Sequence, residues 1–279
     1  MFKVLFEYQF LQNALFAGIL SSIVCGIIGV IIVEKRLIMM SGGIAHTSYG
    51  GVGLGYLIGI EPIIGAFLFS LAAVFGVGYI KRKGGQNSEI IIGLFWSLGM
   101  ALGVFFISFM DAYPPGIQSY LFGNILSVTK SDLKLMVVLT IFVVSCIVIL
   151  FNNWKAYLFD EEFSFIIGIR TVFLEYLILA LVAMTIVVLI RVVGIILVMA
   201  LLTAPAAISA MFAKGLKSRM ILAIALGLLF NILGLWISYE FELSSGAVIV
   251  MISVLSYFIL YAFKNLRKKI STRKIIKNI

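Results

Sequence analysis

Nine long apolar stretches follow one another along this 279-residue chain and leave no comparable segment for a soluble domain. A helix needs about 20 apolar residues to cross the hydrocarbon core of a bilayer. The stretches cover residues 9–33, 37–59, 63–80, 90–110, 133–151, 174–190, 192–213, 220–239 and 246–263. Charged residues make up only 12% of the chain, against about 25% in soluble domains. The sequence therefore predicts an all-α polytopic membrane protein of about nine transmembrane helices, with one transmembrane domain over 1–263 and a basic cytoplasmic tail over 264–279.

Lysine and arginine are distributed unevenly between the loops. If consecutive stretches cross in alternate directions, one set of loops with the C-terminal tail holds 17 of the 21 Lys and Arg residues, and the opposite set holds four. Cytoplasmic loops carry the excess positive charge. We therefore predict a multi-pass protein of the cytoplasmic (inner) membrane with its N-terminus outside and its C-terminus inside. The net charge of +9 then reflects topology and contact with anionic lipid, and no nucleic-acid partner is expected.

The region 174–213 leaves the number of crossings open between eight and nine. Arg191 is the only charged residue between positions 176 and 213. A single crossing would put the basic loop at 81–83 and the basic tail on opposite sides of the membrane. The charge bias favours two crossings joined by a tight turn, with Arg191 at the outer surface.

His46 is the only histidine of the chain, and it lies in the uncharged, glycine-rich stretch 37–59. An ionisable side chain is costly inside a membrane and is a functional-site candidate by default, and an imidazole can bind a metal or carry a proton. The competing interpretation is a packing histidine that is hydrogen-bonded to a backbone carbonyl. The residues alone leave both interpretations open.

Small and hydroxyl-bearing residues surround His46. Gly42 and Gly43 precede it and are weak helix formers, so local unwinding is expected there. Thr47 and Ser48 place hydroxyl groups beside the imidazole. Irregular or polar backbone at membrane depth survives when it lines a polar cavity, so the combination favours a pathway over ordinary packing. The predicted pathway-lining residues are Ser41, Gly42, Thr47 and Ser48.

Residues 152–170, on the predicted cytoplasmic side, combine aromatic residues with the acidic run Asp160, Glu161 and Glu162. Two short amphipathic helices divided near Asp160, with a turn at Gly168, would lie along the membrane and present a surface to the cytoplasm. A plain connecting loop is the alternative, but a nineteen-residue loop without structure is unusual. The segment is therefore predicted to bind a partner.

Pro205 lies inside the stretch 192–213 among small residues. A proline within a helix removes a backbone hydrogen bond and kinks the helix. The predicted kink is either a structural bend or a hinge for gating.

Three stretches carry a family pattern. Ile44–Pro62 reads IAHTSYGGVGLGYLIGIEP, Ser119–Leu133 reads SYLFGNILSVTKSDL, and Arg191–Ser209 reads RVVGIILVMALLTAPAAIS. In order and spacing the three stretches cover nearly the whole chain. With them the sequence resembles the metal-cation permease subunits of ABC importers, the zinc and manganese uptake class known as ABC-3.

This resemblance implies a type II ABC importer permease fold, like that of the larger vitamin and siderophore importers without their first helix. It implies that the chain moves a divalent metal, zinc or manganese, across the membrane, binds no cofactor and is not itself an enzyme. The expected partners are cytoplasmic ATP-binding subunits, an external metal-binding lipoprotein and a second permease chain, in a homodimer or a heterodimer. His46 is then the metal ligand, and the segment with Asp160, Glu161, Glu162 and Gly168 docks into the ATPase. No P-loop of the form GxxxxGK[ST] occurs in the chain, in agreement with a separate ATPase.

Position 42 departs from the family pattern. Many members carry an Asp four residues before the histidine, on the same helix face, whereas this chain has Gly42. The missing carboxylate leaves the metal and its affinity open. His46 from two protomers near a dimer axis would supply two nitrogen ligands, with Ser41, Thr47 and water as weak completing ligands. A loose site suits a permease, because an ion that is held too tightly cannot leave.

Two alternatives remain beside metal transport. One is an importer of the same architecture for a metal chelate or a small vitamin, which Gly42 keeps open. The other is an intramembrane enzyme that uses His46 with Glu61 or Asp111 as a general base. The enzyme is disfavoured because both acids lie in predicted outer loops and no nucleophile motif such as GxSxG is present.

Overall fold

The protein is described by a computed structural model that covers residues 8–83, 88–110, 123 and 125–277, and within these residues it contains helices and no β-strand. The helices are α1 Gln9–Glu34, α2 Ile38–Ile58, α3 Pro62–Arg82, α4 Ser88–Ser108, α5 Lys130–Ile149, α6 Phe151–Phe159, α7 Glu161–Ile166, α8 Thr171–Phe212, α9 Leu216–Glu240 and α10 Ser245–Lys277, with a short 3-10 helix at Ile125–Ser127. The predicted all-α fold is confirmed. Helix α10 runs on as a helix through most of the predicted tail 264–279.

Ion pairs mark the two ends of the helix bundle. The pairs at one end, called here the basic end, are Glu34–Arg219, Lys35–Glu161 and Arg82–Glu175. The pairs at the other end, called here the Arg191 end, are Arg191–Asp132 and Arg191–Glu61. Helix α1 begins at the Arg191 end, where Asn13 donates a hydrogen bond to the Val128 carbonyl just before α5. Helix α10 approaches the basic end, where Lys264 donates to the Met211 carbonyl near the end of α8.

Helix α8 runs from the basic end to the Arg191 end and back. Glu175 near its start is paired at the basic end, Arg191 is paired at the other end, and the Ala213 carbonyl just after α8 accepts a hydrogen bond from Arg219 at the basic end again. The turn lies at Gly194, with φ 79° and ψ 162°, a conformation that glycine adopts without the steric cost of a β-carbon. The predicted tight turn beside Arg191 is therefore present.

Seven of the described helices are long and apolar enough to cross a membrane by length and composition. One of them, α8, spans the bundle twice. Helix α2 is not among the seven because it contains six glycines and several polar residues, yet it runs from the basic end to the Arg191 end. Over the described residues, these observations correspond to the nine predicted crossings.

Helix α2 is continuous through Gly42 and Gly43, so the predicted local unwinding is wrong. Glycines further along α2 bring the backbones of its neighbours into contact. A β-carbon on Gly51 would overlap the Gly65 backbone of α3, and one on Gly53 would lie 2.7 Å from the Gly103 carbonyl oxygen of α4. Tertiary packing on two sides thus outweighs the low helix propensity of glycine.

Pro205 lies inside the second arm of α8, and the residue of α8 with non-helical backbone angles is Gly194 rather than Pro205. Proline has no N–H group, so the carbonyl one turn before it, that of Leu201, loses its usual partner. The sharp change of direction in α8 comes from Gly194. A hinge at Pro205 stays a prediction.

Candidate functional site

His46 lies on α2 with its imidazole stacked against the indole of Trp96 on α4. The ring centroids are 4.3 Å apart and the ring planes differ by 9°. His46 is partly exposed, but its Nδ1 atom is buried and has no hydrogen-bond partner among the described residues. A packing histidine bonded through Nδ1 to a neighbouring carbonyl does not describe this geometry. The imidazole is held through its face, and a ring nitrogen is left for another ligand.

Thr47 fixes the position of α2 against α4 at the level of His46. Its hydroxyl oxygen lies 2.8 Å from the Gly43 carbonyl oxygen and 3.0 Å from the carbonyl oxygen of Phe95, the residue before Trp96. Gly99, one turn further along α4, lies so close that a β-carbon on it would be 2.5 Å from the Thr47 Cα atom. The two helices therefore meet backbone to backbone where the two rings stack.

The other predicted pathway-lining residues occupy different sides of α2. Gly42 shares the His46 face, because residues four apart differ by about 40° around a helix. Ser41 and Ser48 are buried, and their hydroxyls donate to the Ile38 and Ala45 carbonyls at 2.7 and 2.6 Å. Both serines are turned well away from His46 by the 3.6-residue period. The structure thus brings Gly42, His46 and Thr47 together and places the two serines elsewhere on the helix.

Gly42 faces two large side chains. A β-carbon at this position would lie 3.5 Å from the Met199 Cε atom on α8 and 3.8 Å from the Trp96 Cζ3 atom. These are ordinary van der Waals distances, unlike the overlap expected at Gly51. The place where the family often carries a carboxylate is therefore lined by a thioether and an indole, and it has room for a small side chain.

A cavity of about 110 Å³ lies at the basic end. It extends to Met40 on α2 and Ile92 on α4. Met40 precedes His46 by six residues, about 9 Å along the helix, and Ile92 precedes Trp96 by one turn. Its wall also carries both acidic and basic side chains, namely Lys35, Arg36, Glu89, Glu161 and Glu175. His46 and Trp96 do not line this cavity, which ends at Met40 and Ile92 on the side of the two rings.

The segment 152–170 forms the predicted pair of short helices. Asp160 separates α6 from α7 and caps α7, since its Oδ1 atom accepts a hydrogen bond from the Phe163 N–H at 2.9 Å. Gly168 has φ 84° and forms the turn after α7. The predicted division near Asp160 and the turn at Gly168 are both present.

Lys35 connects this segment to the turn between α1 and α2. Its ammonium group lies 2.7 Å from the Glu161 carboxylate and 3.6 Å from the centre of the Tyr157 ring. Burial and the nearby Glu161 and Glu175 carboxylates raise the pKa of Tyr157, so its phenol is neutral at physiological pH. A neutral aromatic ring under a lysine favours a cation–π contact. The segment and the start of the His46 helix are therefore linked by two contacts through one side chain.

An exposed apolar surface covers the basic-end side of this segment. Its large side chains are more than half exposed: Phe159 (93%), Phe163 (56%), Phe165 (69%), Ile166 (78%) and Ile167 (53%). Exposed Glu162 lies among them. The sequence analysis assigned partner binding to the acidic residues and gave no role to single aromatic residues, although Phe159, Phe163 and Phe165 flank the acidic run in the sequence. Large exposed apolar side chains of this kind fit a contact with a protein or a membrane.

A second polar cluster, which the sequence did not indicate, lies between α1 and α9. Asn231 is buried, and its Nδ2 atom donates to the Ser22 hydroxyl at 2.8 Å and to the Gly227 carbonyl at 3.1 Å. Its Oδ1 atom has no hydrogen-bond partner among the described residues. Gly18 leaves space for this amide against α1.

Glu61, considered above as a general base, is engaged elsewhere. It pairs with Arg191 at 3.2 Å, and it lies fifteen residues beyond His46, about 22 Å along the helix direction. Asp111 lies outside the described residues. Among the described residues, no group of three or more His, Cys, Asp and Glu side chains is placed to hold a metal ion.

Comparison with known proteins shows the family to which the chain belongs. The model of the ABC 3 transport family matches residues 7–264. The chain belongs to this family. It is 39% identical over 258 residues to an uncharacterized membrane protein of Synechocystis, covering 92% of both chains. It is 33% identical to the manganese transport system membrane protein MntC of Listeria monocytogenes, over 93% of this chain and 92% of that one.

Solved structures support the same fold. A chain of the Streptococcus pneumoniae PsaBC complex, solved with a Fab, superposes with a TM-score of 0.84 at 32% identity, covering 93% of this chain and 94% of that chain. A metal-chelate type ABC transporter in an inward-facing conformation gives a TM-score of 0.75 at 16% identity, which shows a shared fold only.

The predicted family and the importer permease fold are therefore confirmed. The chain is a multi-pass membrane protein and a permease subunit of a metal ABC transporter. It is a transport subunit and not an enzyme, and the ATPase activity of such importers lies in separate subunits. The intramembrane-enzyme alternative is wrong.

Proposed function

We propose that this chain forms the membrane passage of an ATP-driven importer for manganese, with zinc as the alternative cargo, and that His46 binds the ion on its way. The observation that carries the proposal is the partly exposed His46 imidazole in a transport fold, whose buried Nδ1 atom has no hydrogen-bond partner among the described residues. Manganese is favoured over zinc because relatives that match over nine-tenths of the chain are named as manganese permeases.

The ion would leave through the cavity at the basic end. On the cavity wall, Glu161 and Glu175 are paired with Lys35 and Arg82, so the Glu89 carboxylate is the acidic group proposed to meet the cation. The excess of basic residues around this end supports its assignment to the cytoplasmic side. The N-terminus would then be outside and the C-terminus inside. A single imidazole is a weak site, so the ion would be released without a large barrier.

ATP-binding subunits would dock on the exposed apolar surface of α6 and α7, with Asp160, Glu161 and Glu162 at its edge. Movement of this segment would reach His46 through Lys35, which precedes α2 by three residues. An external metal-binding lipoprotein would deliver the ion at the Arg191 end. A second copy of the chain would complete the passage, and its own His46 would supply a second nitrogen ligand.

The cargo is tested by reconstituting the chain with its ATP-binding subunits in proteoliposomes and measuring uptake of radioactive manganese and zinc. We expect ATP-dependent uptake of manganese, with zinc as a competitor. Saturable uptake of neither ion, in vesicles that retain ATPase activity, would overturn the proposal. Uptake of a chelated metal alone would support the metal-chelate alternative.

The role of His46 is tested by His46→Ala in the same vesicles, with Gly42→Ala as the matched control on the same helix face. The control adds one methyl group at an ordinary contact distance and removes no ligand. We expect His46→Ala to abolish uptake while the assembled complex stays intact, and Gly42→Ala to keep most of it. Normal uptake by His46→Ala would show that the histidine is structural.

A further inference from the structure

Trp96 is the side chain that determines the orientation of the His46 imidazole. The two rings stack nearly parallel, 9° apart in plane and 4.3 Å apart at their centroids. Imidazole Nδ1 has no hydrogen-bond partner among the described residues. A metal-binding histidine is usually oriented by a hydrogen bond from its second nitrogen to a carboxylate or carbonyl. Here, at Nδ1, an aromatic face takes the place of that hydrogen bond.

The position of Trp96 relative to His46 is fixed by the backbone and does not depend on the ring contact. The hydroxyl of Thr47, next to His46, is hydrogen-bonded to the carbonyl of Phe95, next to Trp96. Gly99 adds a backbone contact with Thr47 one turn along α4. The indole is therefore presented to the imidazole by two contacts that would survive a substitution at position 96.

We propose that Trp96 is a positioning residue for metal binding by His46. The indole covers one face of the imidazole and restricts its rotation, so the nitrogen lone pairs, which lie in the ring plane, keep fixed directions for an ion. Because the aromatic face is electron-rich, it also stabilises the positive charge that the imidazole shares with a bound cation. The neutral, empty imidazole gains less from this contact, so the indole strengthens metal binding specifically. This inference rests on the proposed metal-binding role of His46.

The same indole borders Gly42. Its Cζ3 atom lies 3.8 Å from the position of a β-carbon there. Trp96 therefore contacts both positions of the family's Asp-and-His pair, one of which is empty of ligand atoms in this chain. A site without the carboxylate depends all the more on a fixed imidazole.

The test uses the complete transporter in nanodiscs or proteoliposomes, with Trp96→Leu and Trp96→Phe. Leucine keeps an apolar side chain but has no aromatic face, whereas phenylalanine keeps the face. We expect Trp96→Leu to raise the KM for manganese uptake about 10-fold with a smaller change in maximal rate. Trp96→Phe should stay within about 3-fold of the wild type, since a smaller aromatic face retains part of the interaction. Equal KM values for wild type and Trp96→Leu would overturn the inference.

Fluorescence gives a second readout, because it reports whether manganese binds beside the Trp96 indole. The chain has three tryptophans, and the other two, Trp154 and Trp236, remain in Trp96→Phe. Manganese is paramagnetic and quenches an indole stacked on its ligand, whereas zinc quenches it much less. We expect manganese to quench part of the wild-type emission, and this part to be absent in Trp96→Phe and in His46→Ala. Manganese quenching that persists unchanged in Trp96→Phe would contradict the inference.

The two proposals fail in different ways. Normal uptake by His46→Ala would reject the role of His46 and with it the role of Trp96. Loss of uptake in His46→Ala combined with a wild-type KM in Trp96→Leu would reject the role of Trp96 alone. If Trp96→Leu does not assemble, equal manganese quenching of wild type and Trp96→Phe would still reject the role of Trp96.

Discussion

Helices α2 and α4 touch backbone to backbone, whereas the α6–α7 segment is tied to the bundle by side chains. At the first interface, β-carbons on Gly50, Gly53 and Gly99 would each lie between 2.5 and 2.7 Å from backbone atoms of the other helix. At the second, Lys35 contacts Glu161 and the Tyr157 ring. The first arrangement fixes two backbones against each other. The second depends on side chains, which include the fully buried Trp154 as well as the flexible Lys35.

The difference suits the two tasks that we propose. The imidazole has to keep one orientation while an ion passes, and a glycine-mediated interface keeps it. The α6–α7 segment has to follow a moving partner, and it leaves its apolar side chains exposed for that partner. The backbone contacts of α2 and the contacts of Lys35, just before α2, therefore lie within a few helical turns of each other.

Gly99→Ala should have the largest effect, because it attacks the rigid interface. The new β-carbon would lie 2.5 Å from the Thr47 Cα atom, a backbone atom that cannot move aside. Overpacking of this kind costs about 1–3 kcal/mol or more. We expect loss of folded protein, measured as a lower thermal midpoint and a smaller monodisperse fraction in detergent.

Gly93→Ala on the same helix is the control for this substitution. A β-carbon at Gly93 would meet no atom within 4 Å in the single chain. Its stability should equal or slightly exceed that of the wild type, because alanine favours a helix more than glycine does. If Gly99→Ala is as stable as Gly93→Ala, the close contact of α2 and α4 is not present in solution.

Phe165→Asp should have the next largest effect, on assembly rather than on folding. Phe165 is 69% exposed, so a charge there leaves the isolated chain stable. An aromatic anchor in a protein interface is often worth 2 kcal/mol or more, or about 30-fold in affinity. We expect that loss in the affinity for the ATP-binding subunits, measured by co-purification and titration, with an unchanged thermal midpoint.

Phe241→Asp introduces the same change at the Arg191 end, where Phe241 is 67% exposed. It should leave the affinity for the ATP-binding subunits unchanged. Equal weakening by both substitutions would mean that the effect of Phe165→Asp is not local to the α6–α7 surface.

The features that the sequence could predict are those that leave a local signal. Nine crossings followed from apolar length and charge bias, and the turn beside Arg191 followed from the only charged residue between positions 176 and 213. These signals are local or additive along the chain. The two helices around Asp160 were also predictable, because a capping residue and a turn glycine are local signals.

Contacts between distant segments could not be predicted in the same way. In the sequence, Trp96 looks like any other apolar residue of its helix. Its stacking on His46 becomes visible only when the positions of α2 and α4 are known. Gly42 and Gly43 were expected to unwind α2 because their low propensity is visible in the sequence. The packing of α2 between its neighbours, which keeps the helix regular, is not visible there. The exposure of Phe165 likewise depends on which residues of the segment meet the bundle.

Gly42→Asp tests whether position 42, which is loosely packed on the His46 face, can hold a metal ligand. A β-carbon there would be 3.5 Å from the Met199 Cε atom, an ordinary contact with a flexible side chain. An added carboxylate beside His46 gives manganese an oxygen ligand, which this ion prefers. We expect manganese to bind about 10-fold more tightly, which is the change in metal affinity that one interaction around a metal site typically causes. The measurement is the KM of uptake together with direct metal binding.

Gly42→Asn is the matched control, since it has nearly the same shape without the charge. Its affinity for manganese should be close to that of the wild type. If Gly42→Asp and Gly42→Asn behave alike, position 42 does not face the ion. A tighter site with slower uptake would still support the assignment, because stronger binding slows release.

Lys35→Met should have the smallest effect on stability and should act on coupling. The Lys35–Glu161 pair is partly exposed, with side-chain exposures of 19% and 49%, so its removal should cost less than about 1 kcal/mol. The methionine keeps apolar contact with the Tyr157 ring but loses the charge. We expect ATPase activity to continue with fewer manganese ions moved per ATP, measured in proteoliposomes. The exchanged pair, Lys35→Glu with Glu161→Lys, restores opposite charges across the contact and should recover part of the ratio. A large loss of stability in Lys35→Met, or full coupling in Lys35→Glu alone, would mean that the segment transmits its movement to α2 by another route.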